Sequence, residues 1–158
     1  MSIINIEEAN IKHAKIIWEW RNEKITRLMS KNMDYITWQT HLAWFTKAIK
    51  DLNTFFYIGK IGGKIMGSVR FVKHENSLDD YFVNINISPD SRGKGLSKIL
   101  LKSSINKFYS EANKIRFIKA EVKETNAVSK NLFKNYGFKK ENLTKNEIIT
   151  FKLCIDKN

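Results

Sequence analysis

One cysteine and one proline in 158 residues rule out several architectures at once. A lone Cys154 forms no disulfide within the chain and cannot build a cysteine zinc cluster. The histidines, His13, His41 and His74, show no ligand spacing, so no metal site is expected. No apolar run approaches the roughly 20 residues that a membrane-spanning helix needs. The opening residues Met1 to Glu8 carry neither a basic flank nor a long apolar core, so no secretory leader is expected and the chain reads as cytoplasmic. There is no repeat and no Gly-, Pro- or Ser-rich linker. One domain over residues 1–158 is the expectation, long enough to bury a core.

Acidic residues are also scarce: 16 Asp and Glu stand against 28 Lys and Arg, a net charge of +12. Such a balance suits nucleic acid, an anionic surface or a phosphorylated ligand, and it disfavours a polycation such as a polyamine as substrate. Two observations weaken the nucleic-acid reading. Lys and Arg are spread over every segment, and most aromatics fall at core spacing rather than between basic residues. A Lys-, Asn- and Ile-rich composition accounts for the charge equally well.

Hydrophobic periodicity divides the chain. Ile3 to Ile6 reads as a strand. Ile11, Ala14, Ile17 and Trp18 recur at helical spacing, Ile25, Leu28 and Met29 suggest a short helix, and Trp38, Leu42, Phe45 and Ile49 share one face of a third. The period then falls to two. Phe55 to Ile58 and Lys64 to Lys73 flank Gly62-Gly63, a hairpin turn, and Tyr81 to Ile87 is a strand ending before Pro89. Residues 94–111 form a helix with Leu96, Ile99, Leu100, Ser103 and Phe108 on its core face. A strand over 115–123 puts Ile118, Ala120 and Val122 on one side and Phe117, Lys119 and Glu121 on the other. A helix over 126–135 stops at Gly137, and Phe138 to Lys140 and Ile148 to Ile155 close the chain as strands. The expected fold is α+β (mixed α/β): a mostly antiparallel twisted sheet of about six to seven strands flanked by about four helices.

The stretch "SPDSRGKGLSKILL" places Arg92, Gly93, Lys94 and Gly95 where a strand hands over to a helix. The first N–H groups of a helix lack partners, and with the macrodipole they attract anions. Glycines there let a pyrophosphate approach the backbone, while Leu96 anchors the helix below. The turn is neither a Walker loop, which needs Gly-Lys-Ser/Thr, nor the early dinucleotide fingerprint followed by an acid.

Two stretches resemble the GNAT superfamily of N-acetyltransferases. "VNINISPDSRGKGLSKILL" is similar to its acetyl-coenzyme A signature, a strand running into Arg/Gln-x-x-Gly-x-Gly/Ala, with Arg92, Gly95 and Ser97 in the signature positions. "AEVKETNAVSKNLFKNYGFKK" is similar to a second family motif, with Asn126, Ser129, Leu132, Gly137 and Phe138 in register. The resemblance implies acetyl-CoA as cosubstrate and no metal. It implies that the amides of Arg92, Gly93, Lys94, Gly95, Leu96 and Ser97 cradle the pyrophosphate. It further implies that Ile85 and Ile87 pair with the pantetheine arm, that Ile87 polarises the carbonyl, and that Asn126 and Ser129 lie near the cofactor. Asn126 also reads as a helix N-cap, and both roles can hold.

Acetyl transfer to an amine needs a base, a polarised carbonyl and an exit for the thiolate. Glu121 is the first candidate base, with Asp79, Asp80 and Glu75 as alternatives; Glu121 reads equally as a charge beside Lys119 and Lys123. The family's usual tyrosine acid is replaced by Phe133, leaving Tyr136 or Ser129 as substitutes, or a thiolate that departs unprotonated; simple packing beside Gly137 and Phe138 also explains Tyr136.

At the other end, "IIWEWRNEKITRLM" and "HLAWF" resemble family members that acetylate a UDP-linked amino sugar, and Trp-Arg-Asn occurs in relatives of the ribosomal-protein enzymes too. The resemblance implies an acceptor site of Arg21, Asn22, Arg27, His41 and Trp44. Arg21 and Arg27 can bind a diphosphate, and Trp20, Trp38 or Trp44 can stack on a ring. Arg21 reads equally as a structural ion-pair partner, and Trp18 and Trp38 as core. The leading expectation is an acetyl-CoA-dependent transferase acting on a small amine, a UDP-amino sugar first, as a monomer or homodimer. Acetylation of a protein N-terminus and a non-catalytic acetyl-CoA sensor are the alternatives.

Overall fold

The period-two stretches become seven strands of one sheet: β1 (Ile4–Glu8), β2 (Thr54–Ile61), β3 (Lys64–Lys73), β4 (Asp80–Ile87), β5 (Ile115–Lys123), β6 (Lys139–Thr144) and β7 (Ile148–Lys157). The computed structural model describes residues 3–144 and 146–157. Strand order is β1-β2-β3-β4-β5-β7-β6, antiparallel throughout except where β4 meets β5. Gly62 and Gly63, at φ 56° and 79°, make the tight β2–β3 turn, whose backbone twist matches that of the strands.

Five α-helices accompany the sheet among the described residues: α1 (Ala14–Asn22), α2 (Lys24–Met29), α3 (Trp38–Ala48), α4 (Leu96–Glu111) and α5 (Ala127–Tyr136). A 3-10 turn at Ile11–His13 leads into α1, closed by a reciprocal cap between Asn10 and His13. Glu23, extended at ψ 140°, separates α1 from α2 and caps α2 by accepting from the Thr26 N–H. No helix among the described residues is long and apolar enough to cross a membrane.

The helices cover the two faces of the sheet differently. Tyr57, Val69, Phe71, Tyr81, Val83, Ile118, Ala120 and Val122 face the core under α4 and α5, where Phe71 stacks on Phe108 at 4.2 Å. Burying one such phenylalanine is worth about 1.5–3 kcal/mol. On the other face Phe56 and Ile58 meet Ala14 and Ile17 of α1 and Phe45 of α3.

The buried stripe of α4 is Leu100, Leu101, Ser104, Ile105 and Phe108. It is rotated from the expected one: Ile99 is exposed and Ser103 is only half-buried. The reason lies across the interface. Leu100 is set against Gly59 and Gly67, and a Cβ at Gly67 would stand 2.6 Å from the Asn86 carbonyl and 2.7 Å from Leu100. The missing side chains let α4 ride close to the sheet and fix which face it turns inward. On α2 the apolar residues do not enter a core: Ile25, Leu28 and Met29 are exposed.

Candidate functional site

β4 and β5 pair over three positions only, Asp80–Phe82 against Phe117–Lys119. β4 runs on to Ile87 against β3, and β5 runs on to Lys123 against β7. Beyond Phe82 the two strands therefore part, and one edge of β4 has no strand beside it. A cleft of about 980 Å³ fills the gap, lined by Asn84, Ile85, Asn86 and Ile87 and by residues from both faces of the sheet.

On the α4/α5 side the cleft is built of backbone. After Pro89–Ser91, a 3-10 turn, the chain passes through Gly93 at φ 72° and Gly95 at φ 70° into α4. Left-handed backbone at both positions favours glycine and curls N–H groups into a concavity. A Cβ at either would meet open space, and no side chain caps α4. Gly93, Gly95, Leu96 and Ser97 line the cleft, whereas Lys94 is exposed outside it. The Asn126 Oδ1 accepts from the Ser129 N–H at 3.1 Å, capping α5, and both residues line the cleft.

Arg92 lines the cleft, and its guanidinium is bonded to α2. It donates to Glu23 Oε2 at 3.0 Å and to Thr26 Oγ1 at 2.7 Å. Burial raises the Glu23 carboxyl, but bonds from Arg92 and from the Thr26 and Ile25 N–H groups outweigh it and hold the carboxyl at about 2. Arg92 thus clasps α2 to the glycine turn through Nη2, with its charge balanced by Glu23.

Glu121 lies past the point where the strands part, on the sheet face of Phe82 and Asn84, but it does not line the cleft, and its carboxylate is ion-paired with Lys31 rather than with Lys119 or Lys123. Tyr136 sits outside the cleft. Its ring packs edge-on against Phe138 at 5.8 Å, and burial raises its phenol above the ordinary 10.0. Phe133 is core, edge-on to Phe138 at 5.1 Å. Asp79 and Asp80 stand at the paired end of β4, held by Lys114, Arg116 and Lys119. That end is roughly 17 Å of strand from Ile85, so neither serves the gap. Glu75 lies in the loop before them.

The Trp-Arg-Asn stretch holds a loop. Asn22 spends its amide on Ile36, donating to the carbonyl and accepting from the N–H, both at 2.8 Å. Arg27 Nε donates to the Met33 carbonyl at 3.0 Å, Arg21 Nη2 to that of Asn32 at 2.7 Å, and Trp18 Nε1 to that of Ile36. Asn22 and Arg27 stay out of the cleft, while Ser30, Asn32 and Ile36 of the loop they hold line it. Trp20 is buried in the α1/α3 core and offers no stacking face. His41 is buried at 3% exposure, with Nε2 at 2.8 Å from the Ala14 carbonyl. A carbonyl only accepts, so Nε2 carries the proton, and burial lowers the ring below its ordinary 6.5. His41 therefore ties α3 to α1, with its edge on the cleft wall.

Two of the residues expected at an acceptor site line the cleft with groups still unengaged among the described residues. Trp44 is 41% exposed and lines the cleft. Arg21 has its Nη1 buried without a hydrogen-bond partner. A third was not singled out in the sequence: Arg70, in the middle of β3, its guanidinium 4.6 Å from the Trp44 ring centroid. The signal was available, since a cation between Val69 and Phe71 in a central strand is unusual.

The profile of the acetyltransferase (GNAT) family matches residues 15–138. No curated protein matches the chain. Among solved structures, spermidine N-acetyltransferase from Vibrio cholerae, in complex with CoA and spermine, is similar at a TM-score of 0.87 and 15% identity, covering 98% of this chain and 96% of that one. Ribosomal-protein-alanine N-acetyltransferase from Brucella melitensis superposes at 0.79 with 16% identity, covering 96% and 99%. The structure of yncA from Salmonella typhimurium with its cofactor acetyl-CoA superposes at 0.79 with 19% identity, covering 99% and 96%. At these identities the likeness is one of fold. Joined to the profile match, to the parted strands and to the uncapped glycine turn, it leads to one statement: the chain belongs to the acetyltransferase (GNAT) family.

Proposed function

We propose that this protein transfers acetyl from acetyl-CoA to the primary amine of a small molecule by direct attack on the thioester. The observation that carries the reading is the parting of β4 from β5 beside two left-handed glycines and an uncapped helix. The turn fits a pyrophosphate because its concavity is backbone, positive and open. The free edge of β4 at Ile85 and Ile87 fits an extended amide-bearing arm, and the Asn126 amide nitrogen has capacity left beyond its cap.

When bound, the cosubstrate supplies an activated acyl carbon. The chain's part is alignment, carbonyl polarisation and proton handling. An N–H at Ile87 on the unpaired edge of β4 is assigned to the carbonyl oxygen. Glu121, just outside the cleft lining, takes the amine proton through a water once Lys31 swings aside. The amine nitrogen forms the new C–N bond, the C–S bond breaks, and the sulfur takes its proton from solvent. Phe133 and Tyr136 supply none, since both are packed away from the cleft.

The specific acceptor we carry forward is the UDP-linked amino sugar that the Trp-Arg-Asn stretch suggests, with Arg21 facing its diphosphate. Release of CoA across a panel of amines, the UDP-amino sugar, spermidine and an alanine-terminated peptide among them, tests this. Turnover with the nucleotide sugar, and a KM raised about tenfold or more by Arg21→Ala, support the reading. Turnover with the peptide alone moves protein acetylation to first place. Binding of acetyl-CoA with no turnover on any amine assigns a sensor.

A further inference from the structure

The cleft is lined by three arginines and no carboxylate among the described residues. Arg92 is neutralised by Glu23. Arg70 is not. Among the described residues no acid pairs with it, and its contacts are aromatic: Trp44 at 4.6 Å and Phe56 at 5.9 Å. Burial lowers its guanidinium to about 10, which leaves it protonated at neutral pH. A half-buried cation resting on two rings keeps its hydrogen-bonding edge free, because stacking uses the face of the guanidinium and not its N–H groups. Arg21 adds the buried Nη1, which has no hydrogen-bond partner among the described residues.

Their position is as informative as their charge. Arg70 is in register with Asn84 on β4 and with Phe56 on β2. Its side chain therefore rises on the α1/α3 face of the sheet, alongside Asn84. From there to the Ile85–Ile87 edge is roughly 3–10 Å along the strand. An anion received by Arg70 thus lies within a small molecule's length of the reacting amine.

We infer that the acceptor carries an oxyanion, a phosphate or a carboxylate, close to its amine, and that Arg70, stacked on Trp44, receives it with Arg21. The inference rests on the acetyltransferase reading and narrows its substrate class. It separates this protein from enzymes of cationic amines: spermidine would bring like charge to a cleft whose lining, among the described residues, holds three arginines and no acid, Glu121 standing outside that lining with its charge balanced by Lys31.

The experiment keeps the two readings apart. CoA is titrated first, by calorimetry; failure to bind overturns the acetyltransferase reading itself. Protein saturated with CoA, so that the glycine turn is filled, is then titrated with inorganic phosphate, pyrophosphate and malonate while the Trp44 indole N–H is followed by NMR. Binding of at least one anion that shifts Trp44, weakened tenfold or more in Arg70→Gln with CoA affinity unchanged, supports the inference. Phosphate or pyrophosphate alone indicates a phosphorylated acceptor, and malonate alone a carboxylate. If CoA binds and no anion moves Trp44, the inference falls, whether or not the variant folds. It also falls if Arg70→Gln binds the anion as the parent does, or if spermidine is acetylated faster than glucosamine 6-phosphate and alanine alike.

Discussion

The two halves of the cleft are made of different material. The α4/α5 half presents backbone: the Gly93–Gly95 turn, the start of α4 and the bare edge of β4. The α1/α3 half presents side chains, and most are already engaged with the protein itself. Asn22, Arg27, His41 and Trp20 hold a loop, two helices and a core. A group that every member of a family must bind can be met by main-chain atoms, which tolerate sequence drift. A ligand particular to one member needs side chains, few of which are free. Among the described residues these include Arg70, Trp44 and part of Arg21.

Substitutions can break this contrast. Gly95→Glu sets a carboxylate into the turn proposed to hold the pyrophosphate and forces a left-handed backbone on a side chain. Loss of two charge-assisted hydrogen bonds at about 1.5–3 kcal/mol each predicts a fall in acetyl-CoA affinity of more than a hundredfold. The fold should persist, since the new Cβ meets open space. Calorimetry beside a melting curve checks both; unchanged affinity would remove the phosphate turn from the site.

Glu121→Gln tests the proton path. Turnover on the best amine of the panel should drop by on the order of a hundredfold with acetyl-CoA affinity intact. A flat result leaves Glu121 as nothing more than the partner of Lys31. Tyr136→Phe, by contrast, should leave turnover where it was.

Asn22→Ala sharpens the other side. It strands the Ile36 N–H, while the carbonyl keeps its bond from Trp18 Nε1, at a cost of about 1–3 kcal/mol in stability. Thermal melting should show that loss while acetyl-CoA affinity stays constant. An acceptor KM that rises with no change in melting would instead put Asn22 in direct contact with the substrate.

Protonation gives the smallest effect. Burial lowers both His13 and His41 below the ordinary 6.5. The folded chain therefore favours the neutral rings, and the unfolded chain binds protons first as pH falls. Their contribution is complete above pH 6.5 and declines below it, until the folded rings titrate too. The melting temperature should fall between pH 7 and pH 5.5, with a shallower slope in His41→Phe.

Legibility in the sequence followed the same divide. Strand and helix order was readable throughout from periodicity, and the glycine turn from spacing, because both are local. The rotation of α4 was not, since it depends on Gly59 and Gly67 lying opposite Leu100 across the sheet. That the Arg92 guanidinium is balanced by Glu23, 69 residues earlier, was not readable either, because the two meet only in the fold. Asn22 and Arg27 looked like acceptor ligands because polar residues near a cleft resemble polar residues in it. Only the partner carbonyls of the 30–36 loop distinguish the two. Arg70 was passed over for the opposite reason: in a strand it looked like one more charge in a basic chain.

The parted strands have a kinetic consequence. A gap between two strands of a sheet joins its two faces, and residues from the helices on both sides line it. Two reactants can then arrive by separate doors, and neither must leave before the other enters. Sole Cys154 sits on β7, so no thiol stands at the gap to hold an acetyl group between visits. Initial velocities measured over a grid of acetyl-CoA and amine concentrations should give double-reciprocal lines that intersect, whereas parallel lines would mean that the acetyl group pauses on the protein.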